Sequence, residues 1–297
     1  RIATYTQEDS CNGLADVDLM PGEILDLDLY HPWSLDPDAA VELARTCEAA
    51  GLDSDPRLVN TEGAQVNTQQ MMRVYGNSHG FVGAYCSTRH GMSCVLIAED
   101  ASGMQRDYWY TSSRDHSDLE DAEDVGRKAA ERTTARLSPK KAPTGEFPVL
   151  FCAQVASGLF SHLTNAISGG AQYRKASFLL DSVGEQVLPE FISLVERPHL
   201  KRALGSANFD NDGVATREKA FVAAGRIASY ILSVYSARKL GLISTGNAGG
   251  VYNLDIDGDK TPYAEVLASV DKGLLVTELM GQGINGVTGD YSRGAAG

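Results

Sequence analysis

Residues 57–67 (RLVNTEGAQVN), 80–88 (GFVGAYCST) and 93–100 (SCVLIAED) decide the fold class of this chain. Each segment is short and rich in β-branched or aromatic residues, and Gly, Asn and Asp separate one from the next. Such runs between turn-forming residues are typical of strands. The pattern therefore predicts antiparallel strands within residues 57–110.

Helical patterns flank these strands. Residues 34–52 (SLDPDAAVELARTCEAAGL) offer Ser34 or Asp36 as a helix cap and Pro37 in the first turn, and we expect Gly51 to end the helix. Residues 118–137 begin with acids and end with Arg and Lys, the order that the helix dipole favours. Because helices and strands are segregated rather than strictly alternating, the sequence predicts an α+β fold.

A proline-containing stretch, SPKKAPTGEFP (residues 138–148), indicates a domain boundary. We predict a central domain of helices and antiparallel sheet over residues 28–140, followed by a β-rich C-terminal domain over residues 141–297. Residues 1–27 are interpreted as the tail of a missing N-terminal domain. The chain opens on arginine and stops inside a Gly-rich segment, so we expect both ends to be cut.

Three patterns organise the second domain. VLFCAQV (residues 149–155) predicts a strand, and AFVAAGRIASYIL (residues 220–232) predicts a hairpin that turns at its central glycine. GLFSHLTNAISGG (residues 158–170) predicts an amphipathic helix that Gly169–Gly170 end. Taken alone, this helix is interpreted as a packing element with a surface histidine.

Bulk composition excludes several classes of function. The net charge is −13 at pH 7, so a phosphate backbone would be repelled and nucleic acid is not expected as a direct partner. No apolar run reaches the roughly 20 residues of a membrane helix. Five cysteines, an odd number without a framework, favour a reducing compartment, and we expect the cytoplasm.

Three motifs resemble known sites incompletely. CSTRHGMSC (residues 86–94), with a histidine upstream in GNSHG, lacks the usual spacing of zinc ligands and is interpreted as a hairpin that turns at RHG. DIDGDKTPYAE (residues 255–265) has lysine where a calcium loop needs glycine, and is interpreted as a solvated Asp-Gly turn. GQGING (residues 281–286) fits the dinucleotide fingerprint, but the glycines that follow it would prevent the required helix.

Long strings in order along nearly the whole chain resemble the TldD/PmbA family, and within it the PmbA (TldE) type of subunit. Among them are LDLYHPWSLDPDAAVELA (residues 27–44), YCSTRHGMS (85–93), YRKASFLLDSVGEQVLPE (173–190) and VTELMGQGINGVTGDYSRGAAG (276–297). The resemblance implies a cytoplasmic, zinc-dependent peptidase complex, also known as a modulator of DNA gyrase. In it a TldD-type subunit holds the zinc, and a PmbA-type subunit pairs with it. The expected substrates are peptides such as bacteriocin precursors and unfolded antitoxins.

The resemblance can be carried over to the helix at residues 158–170. The Arg174–Lys175 pair aligns with an Arg-Lys pair that follows the zinc helix (His-Glu-three residues-His) of the metal-bearing subunits. Counting back without a gap places the two zinc histidines on Ser161 and Ala166 and the catalytic glutamate on His162. We therefore expect no catalytic residue, cofactor or metal in this chain, and zinc only in the partner. Ligands five residues apart point about 140° away from each other on a regular helix, so we expect the helix here to be regular.

The resulting interpretation is a catalytically dependent subunit that contacts peptide and partner, and that could form a homodimer in isolation. Extended peptides add readily to strand edges, which suits unfolded substrates. The residues predicted to contact peptide or partner are His162, Asn165, Arg174, Lys175, Gly249, Gly250, Gly281 and Gly283. Two alternatives stay open: an autonomous metallopeptidase with ligands around His79, Cys86, His90 and Cys94, and a binding or regulatory protein without a role in proteolysis.

Overall fold

An antiparallel sheet of three long strands, in the order β1-β2-β3, dominates the first half of the chain. The computed structural model describes residues 2–297, so Arg1 of the predicted tail lies outside the described residues. The elements of this half are α1 (Pro37–Leu52), β1 (Leu58–Gly76), β2 (Val82–Asp100), β3 (Gly103–Ser113) and α2 (Ala122–Ala135).

The predicted turn at RHG is wrong, because β2 runs without a break through residues 89–91. His90 pairs with Thr68 of β1 and with Ser113 of β3. The turn between β1 and β2 lies instead at GNSHG, where the Asn77 N–H donates to the Phe81 carbonyl at 3.1 Å and Gly80 has a positive φ of 85°. Both strands are 19 residues long. Polar residues on the solvent face interrupt the apolar pattern, which is why the sequence predicted shorter strands.

Helices α1 and α2 pack together and against the sheet. The Asp36 side chain accepts from the Ala39 N–H at 2.9 Å and Pro37 is the first helical residue, so the predicted helix start is confirmed. The core between helices and sheet consists of aliphatic and sulfur-containing side chains: Cys47, Leu58, Met92, Cys94, Leu96, Ala98, Ala122, Val125, Ala129 and Ala130.

The second half of the chain combines short helices with short strands. Its elements are β4 (Val149–Phe151), α3 (Ala153–Ala166), α4 (Gly169–Tyr173), β5 (Ser193–Glu196), β6 (Lys219–Ala223), β7 (Arg226–Ile227), α5 (Val234–Leu240), β8 (Leu254–Asp257), α6 (Tyr263–Ala268), β9 (Leu274–Val276), β10 (Glu278–Ile284) and β11 (Tyr291–Ala296). An antiparallel sheet has the order β7-β6-β5-β8, β10 pairs with β11, and β4 pairs in parallel with β9. The α+β class predicted from the sequence is confirmed.

The predicted hairpin at residues 220–232 is also confirmed, since β6 and β7 meet around Gly225. Two local predictions are corrected. The strand at residues 149–155 ends at Phe151, because α3 begins at Ala153. The pair Gly169–Gly170 starts α4 instead of ending α3, because the Ser168 hydroxyl caps the new helix at the Ala171 N–H.

The N-terminal segment packs on the second half of the chain. Asn208 exchanges two hydrogen bonds with the backbone of Leu25, at 2.8 and 3.1 Å. Arg114, at the end of the large sheet, is buried and donates to the carbonyl of Leu204 at 2.6 Å, so it connects the sheet to the second half as well. No helix within residues 2–297 is long and apolar enough to cross a membrane.

Candidate functional site

Helix α3 carries the three positions that the family resemblance assigns to zinc and its catalytic base. The Ser161 hydroxyl donates to the Ser157 carbonyl of its own helix at 2.9 Å, and Ala166 offers no ligand atom. The His162 ring meets Tyr291 edge-on, with 5.7 Å between the ring centroids. One imidazole beside a hydroxyl and a methyl group does not fit a zinc site, which needs several thiolate, imidazole or carboxylate ligands.

Helix α3 is regular at the positions assigned to zinc. The helix is α-helical from Ala153 through Ala166 without a bulge, as the sequence argument expected. Residues 161 and 166 therefore point in directions about 140° apart. Even with ligands restored, this backbone would not bring them together.

The alternative group of His79, Cys86, His90 and Cys94 does not converge. His90 is buried, and its Nε2 donates to the His31 carbonyl at 2.8 Å while its Nδ1 accepts from the Thr68 hydroxyl at 2.8 Å. Cys94 packs in the core beside Cys47, and this contact, together with burial, raises the pKa of the Cys47 thiol. His79 is exposed in the turn before β2. Within residues 2–297, no group of three or more His, Cys, Asp or Glu is placed to hold a metal ion.

Two neighbouring cavities are each lined by both His162 and Arg293. The first, named here the arginine-lined cavity, has a volume of about 410 Å³ and lies between residues 106–110 of β3, the C-terminal half of α2, α3, and residues 277–279. The second, named here the hairpin cavity, also measures about 410 Å³ and lies between α3 and the β10–β11 hairpin. His162 and Asn165 both line the hairpin cavity, so the structure brings these two predicted contact residues together.

Several charged side chains line the arginine-lined cavity. Asp107, 6% exposed at its side chain, lies 3.3 Å from Arg132 and 3.4 Å from Arg136. Arg136 also pairs with Glu278 at 2.5 Å. The Arg293 guanidinium, by contrast, donates to the Met280 and Leu279 carbonyls at 3.0 and 3.4 Å. A cavity of this composition can attract an anionic group.

A β-bulge shapes the hairpin that separates the two cavities. Met280 pairs with Gly294 and Gly283 with Ser292, so two residues of β10 oppose Arg293 alone on β11. Gly281 has a φ of 83°, the glycine conformation common in such bulges. A Cβ at Gly283 would lie 2.1 Å from the Ser292 carbonyl oxygen. The two glycines predicted as contact residues therefore have a structural role, and the intervening Gln282 lines the hairpin cavity.

The remaining predicted contact residues lie elsewhere. Arg174 stacks on the neighbouring Tyr173 ring at 5.2 Å, and Lys175 has a left-handed φ of 53° after α4. Gly249 and Gly250 have φ values of 105° and 123° in the loop before β8, and a Cβ at Gly249 would lie 2.4 Å from the Asn211 side chain. None of the four lines either cavity.

The arginines of this cavity could not be identified as a group from local sequence patterns. Arg132 lies in the last turn of α2 and Arg136 caps its C-terminus four residues later, a spacing that places both on one helical face, whereas the sequence pattern indicates only complements to the helix dipole. Their convergence with Arg293 depends on residues more than 150 positions apart in the chain, which no local pattern reveals.

Comparisons with known proteins identify the family to which the chain is similar. The model of the PmbA/TldA metallopeptidase central domain matches residues 30–137, and that of the C-terminal domain matches residues 144–297. The metalloprotease PmbA of Escherichia coli O157:H7 is 50% identical over 296 residues, which are 100% of this chain and 66% of that protein. A PmbA homologue of Haemophilus influenzae is 47% identical over 297 residues, again 100% of this chain and 66% of that protein. The chain thus spans about two thirds of the length of these relatives.

Solved structures with the same fold carry related names. A candidate modulator of DNA gyrase from Bacteroides thetaiotaomicron superposes with a TM-score of 0.92 at 30% identity, over 98% of this chain and 67% of that one. TldE from Thermococcus kodakarensis superposes with a TM-score of 0.79 at 23% identity, over 95% of this chain and 65% of that one, and this likeness concerns the fold alone.

Proposed function

Because the chain belongs to the PmbA/TldD metallopeptidase family, we propose that it is the subunit without a metal in a two-component peptidase. A TldD-type paralogue would supply the zinc and the hydrolytic chemistry. This chain would bind the partner and hold part of an extended peptide, such as a bacteriocin precursor or an unfolded antitoxin. In isolation it could form a homodimer.

One observation carries the proposal: the composition of α3 at the family's zinc positions. Ser161 is engaged with its own helix, Ala166 has no ligand atom, and His162 replaces the carboxylate that would act as a base. A carboxylate accepts a proton from zinc-bound water because the metal lowers the pKa of that water, and an isolated histidine has no such substrate. The fold of the family is present around this helix, and the composition of the helix supports a subunit without metal chemistry of its own.

Strand edges near the arginine-lined cavity support the peptide-binding part of the proposal. Residues 106–110 belong to β3, an outer strand of its sheet, and β10 belongs to a two-stranded sheet, so strand edges lie near the arginine-lined cavity. An extended peptide can pair with such an edge through its backbone, which requires little sequence specificity.

The alternative of an autonomous metallopeptidase receives no support from the described residues, because both nitrogens of His90 are engaged and Cys94 is buried. A purely regulatory protein would have the same α3, so only a functional experiment separates it from the proposal.

The test uses the full-length protein that carries this chain. We expect substoichiometric zinc by elemental analysis, no hydrolysis of an unfolded peptide by the protein alone, and hydrolysis after mixing with its metal-bearing paralogue. The variant His162→Ala should leave the zinc content of the mixed complex unchanged. His116→Ala, at a half-exposed histidine far along the chain from α3, serves as the matched control.

Two results would contradict the proposal. Stoichiometric zinc together with hydrolysis by the protein alone would mean that the chain has metal ligands of its own. Failure to associate with the paralogue, or to raise its activity, would favour a regulatory protein.

A further inference from the structure

The arginine-lined cavity has more positive than negative charge, although the whole chain is acidic at −13. Arg106, Arg132, Arg136 and Arg293 line it. Three carboxylates neutralise part of this charge: Asp107 and Glu278 within the cavity, and Glu62, which pairs with Arg106 at 2.7 Å. Four guanidiniums thus face three carboxylates, and Arg293 has no ion-pair partner among the described residues 2–297.

We infer that this cavity binds a carboxylate of a peptide, either its C-terminal carboxylate or an acidic side chain. The inference rests on the proposed function and deepens it, because it names the chemical group by which this subunit would hold a peptide. It assigns Arg293 and Arg132 as the residues that bind the carboxylate.

The hydrogen bonding of Arg132 supports this assignment. Its Nε is buried and has no hydrogen-bond partner among residues 2–297. Its terminal nitrogen lies 3.3 and 3.5 Å from the two Asp107 oxygens, at the long end of hydrogen-bond distances. The contacts of Arg132 with the protein therefore leave part of the hydrogen-bonding capacity of its guanidinium unused.

The charge balance favours a carboxylate over a phosphate. One unpaired guanidinium matches a ligand with a single negative charge, whereas a phosphate dianion would face repulsion from Asp107 and Glu278 in the same cavity. Trp109 and Leu279 give the cavity apolar surface beside the charges. A peptide end has this combination of a carboxylate and an adjoining side chain.

The position of Arg293 follows from the β-bulge. Arg293 is the single residue opposite Gly281 and Gln282, and its Nε donates to the Met280 carbonyl at 3.0 Å across the hairpin. The side chain is therefore held at the boundary between the two cavities, which both include it. A ligand carboxylate would meet a guanidinium whose orientation is already set.

The experiment measures peptide binding by fluorescence anisotropy, without any peptidase activity. Three labelled peptides of one unstructured sequence are compared with the full-length protein: one with a free C-terminus, one amidated, and one amidated with glutamate as its last residue. We expect the amidated peptide without the added glutamate to bind about tenfold more weakly than the tighter of the other two peptides, because it loses a charge-assisted hydrogen bond. The carboxylate-dependent part should weaken as salt increases.

Variants assign the effect to the cavity. Arg293→Gln should remove the difference between the peptides, whereas Arg293→Lys should retain part of it. Arg45→Gln, at an exposed arginine of α1 that pairs with Glu42, is the matched control and should bind as the wild type does. Circular dichroism establishes that each variant is folded.

The outcomes separate the sources of the carboxylate from failure of the inference. If only the peptide with a free C-terminus binds more tightly than the amidated peptide, the ligand group is the C-terminal carboxylate. If the glutamate peptide binds as tightly as the peptide with the free C-terminus, a side-chain carboxylate is also accepted. Both results support the inference. Equal binding of all three peptides, or a preference that survives Arg293→Gln in a folded protein, would overturn it. If mixing with the paralogue still restores hydrolysis, the proposed function stands without this inference.

Discussion

Asp210 illustrates how burial and backbone hydrogen bonds act on a single carboxyl group. Its side chain is fully buried and accepts from the backbone N–H groups of Asp212 and Val214 at 2.9 Å and of Ala248 at 2.8 Å. Burial is the larger influence and raises the pKa of Asp210 to about 6. The Asp210 carboxyl group thus connects its own loop, which contains Asp212 and Val214, with the loop that contains Ala248.

The raised pKa predicts a pH dependence of stability. The native state binds this proton more tightly than the unfolded state, whose pKa is near 3.8. The contribution of Asp210 to the free energy of unfolding is therefore complete below about pH 4 and is lost as pH rises towards 6, by up to about 3 kcal/mol. In urea unfolding, the difference between wild type and Asp210→Asn should shrink from pH 4.5 to pH 7.

At pH 7 the same substitution should still be destabilising, by about 1–3 kcal/mol, because an amide NH₂ cannot accept from the backbone N–H groups that surround the carboxylate. The exposed Asp271→Asn is the control, for which we expect no change. A pH-independent difference for Asp210→Asn would contradict the assigned role.

At the scale of elements, Gly126 allows α1 and α2 to come close together. A Cβ at Gly126 would lie 2.0 Å from the Cys47 carbonyl oxygen and 2.9 Å from the Gly51 nitrogen. Gly158 in α3 differs, since a Cβ there would meet no atom outside its own helix within 4 Å. Two helical glycines thus have opposite structural requirements.

We predict opposite effects of alanine at these positions. Gly126→Ala should destabilise the protein by about 1–3 kcal/mol, because the helices must move apart. Gly158→Ala should stabilise it by about 0.5–1 kcal/mol through the higher helix propensity of alanine. Denaturant unfolding of both variants provides the measurement, and each serves as the control for the other. Equal and small effects would mean that the helices adjust freely.

The elements also mark the limit of pattern-based prediction. Asp36 and Pro37 located the start of α1 because capping is local chemistry. The strand β2 was divided in two because Arg89 and Gly91 resemble a turn, although pairing with β1 and β3 on both sides keeps them extended. Hydrogen bonds between strands are not encoded in a short window of sequence.

At the scale of the whole molecule, the N-terminal segment is held by residues far along the chain. Asn208 is buried and binds both the N–H and the carbonyl of Leu25, as a neighbouring strand would. The Ala215 N–H donates to the Leu19 carbonyl at 2.8 Å. These contacts join residues 19–25 to the second half of the chain.

Asn208→Ala should loosen this segment. The free energy of unfolding should fall by about 1–2 kcal/mol, towards the lower part of the range for lost hydrogen bonds because Leu25 is partly hydrated. Hydrogen–deuterium exchange should become faster over residues 19–29. Asn12→Ala, at an exposed position, is the control. Unchanged exchange in Asn208→Ala would mean that other contacts hold the segment.

The fold class and the family could be predicted from the sequence, and Ser161, His162 and Ala166 could be proposed as degenerate zinc positions, because such predictions depend on residue identity and on short-range patterns. Tertiary structure alone placed His162 beside both cavities and Ala166 beside the hairpin cavity, with Arg132, Arg136 and Arg293 converging on the arginine-lined cavity from separate parts of the chain. It also decided that Gly281 and Gly283 serve a β-bulge and that His90 is a core residue. Packing and strand pairing act between residues distant in sequence, and no local pattern records which partners will meet.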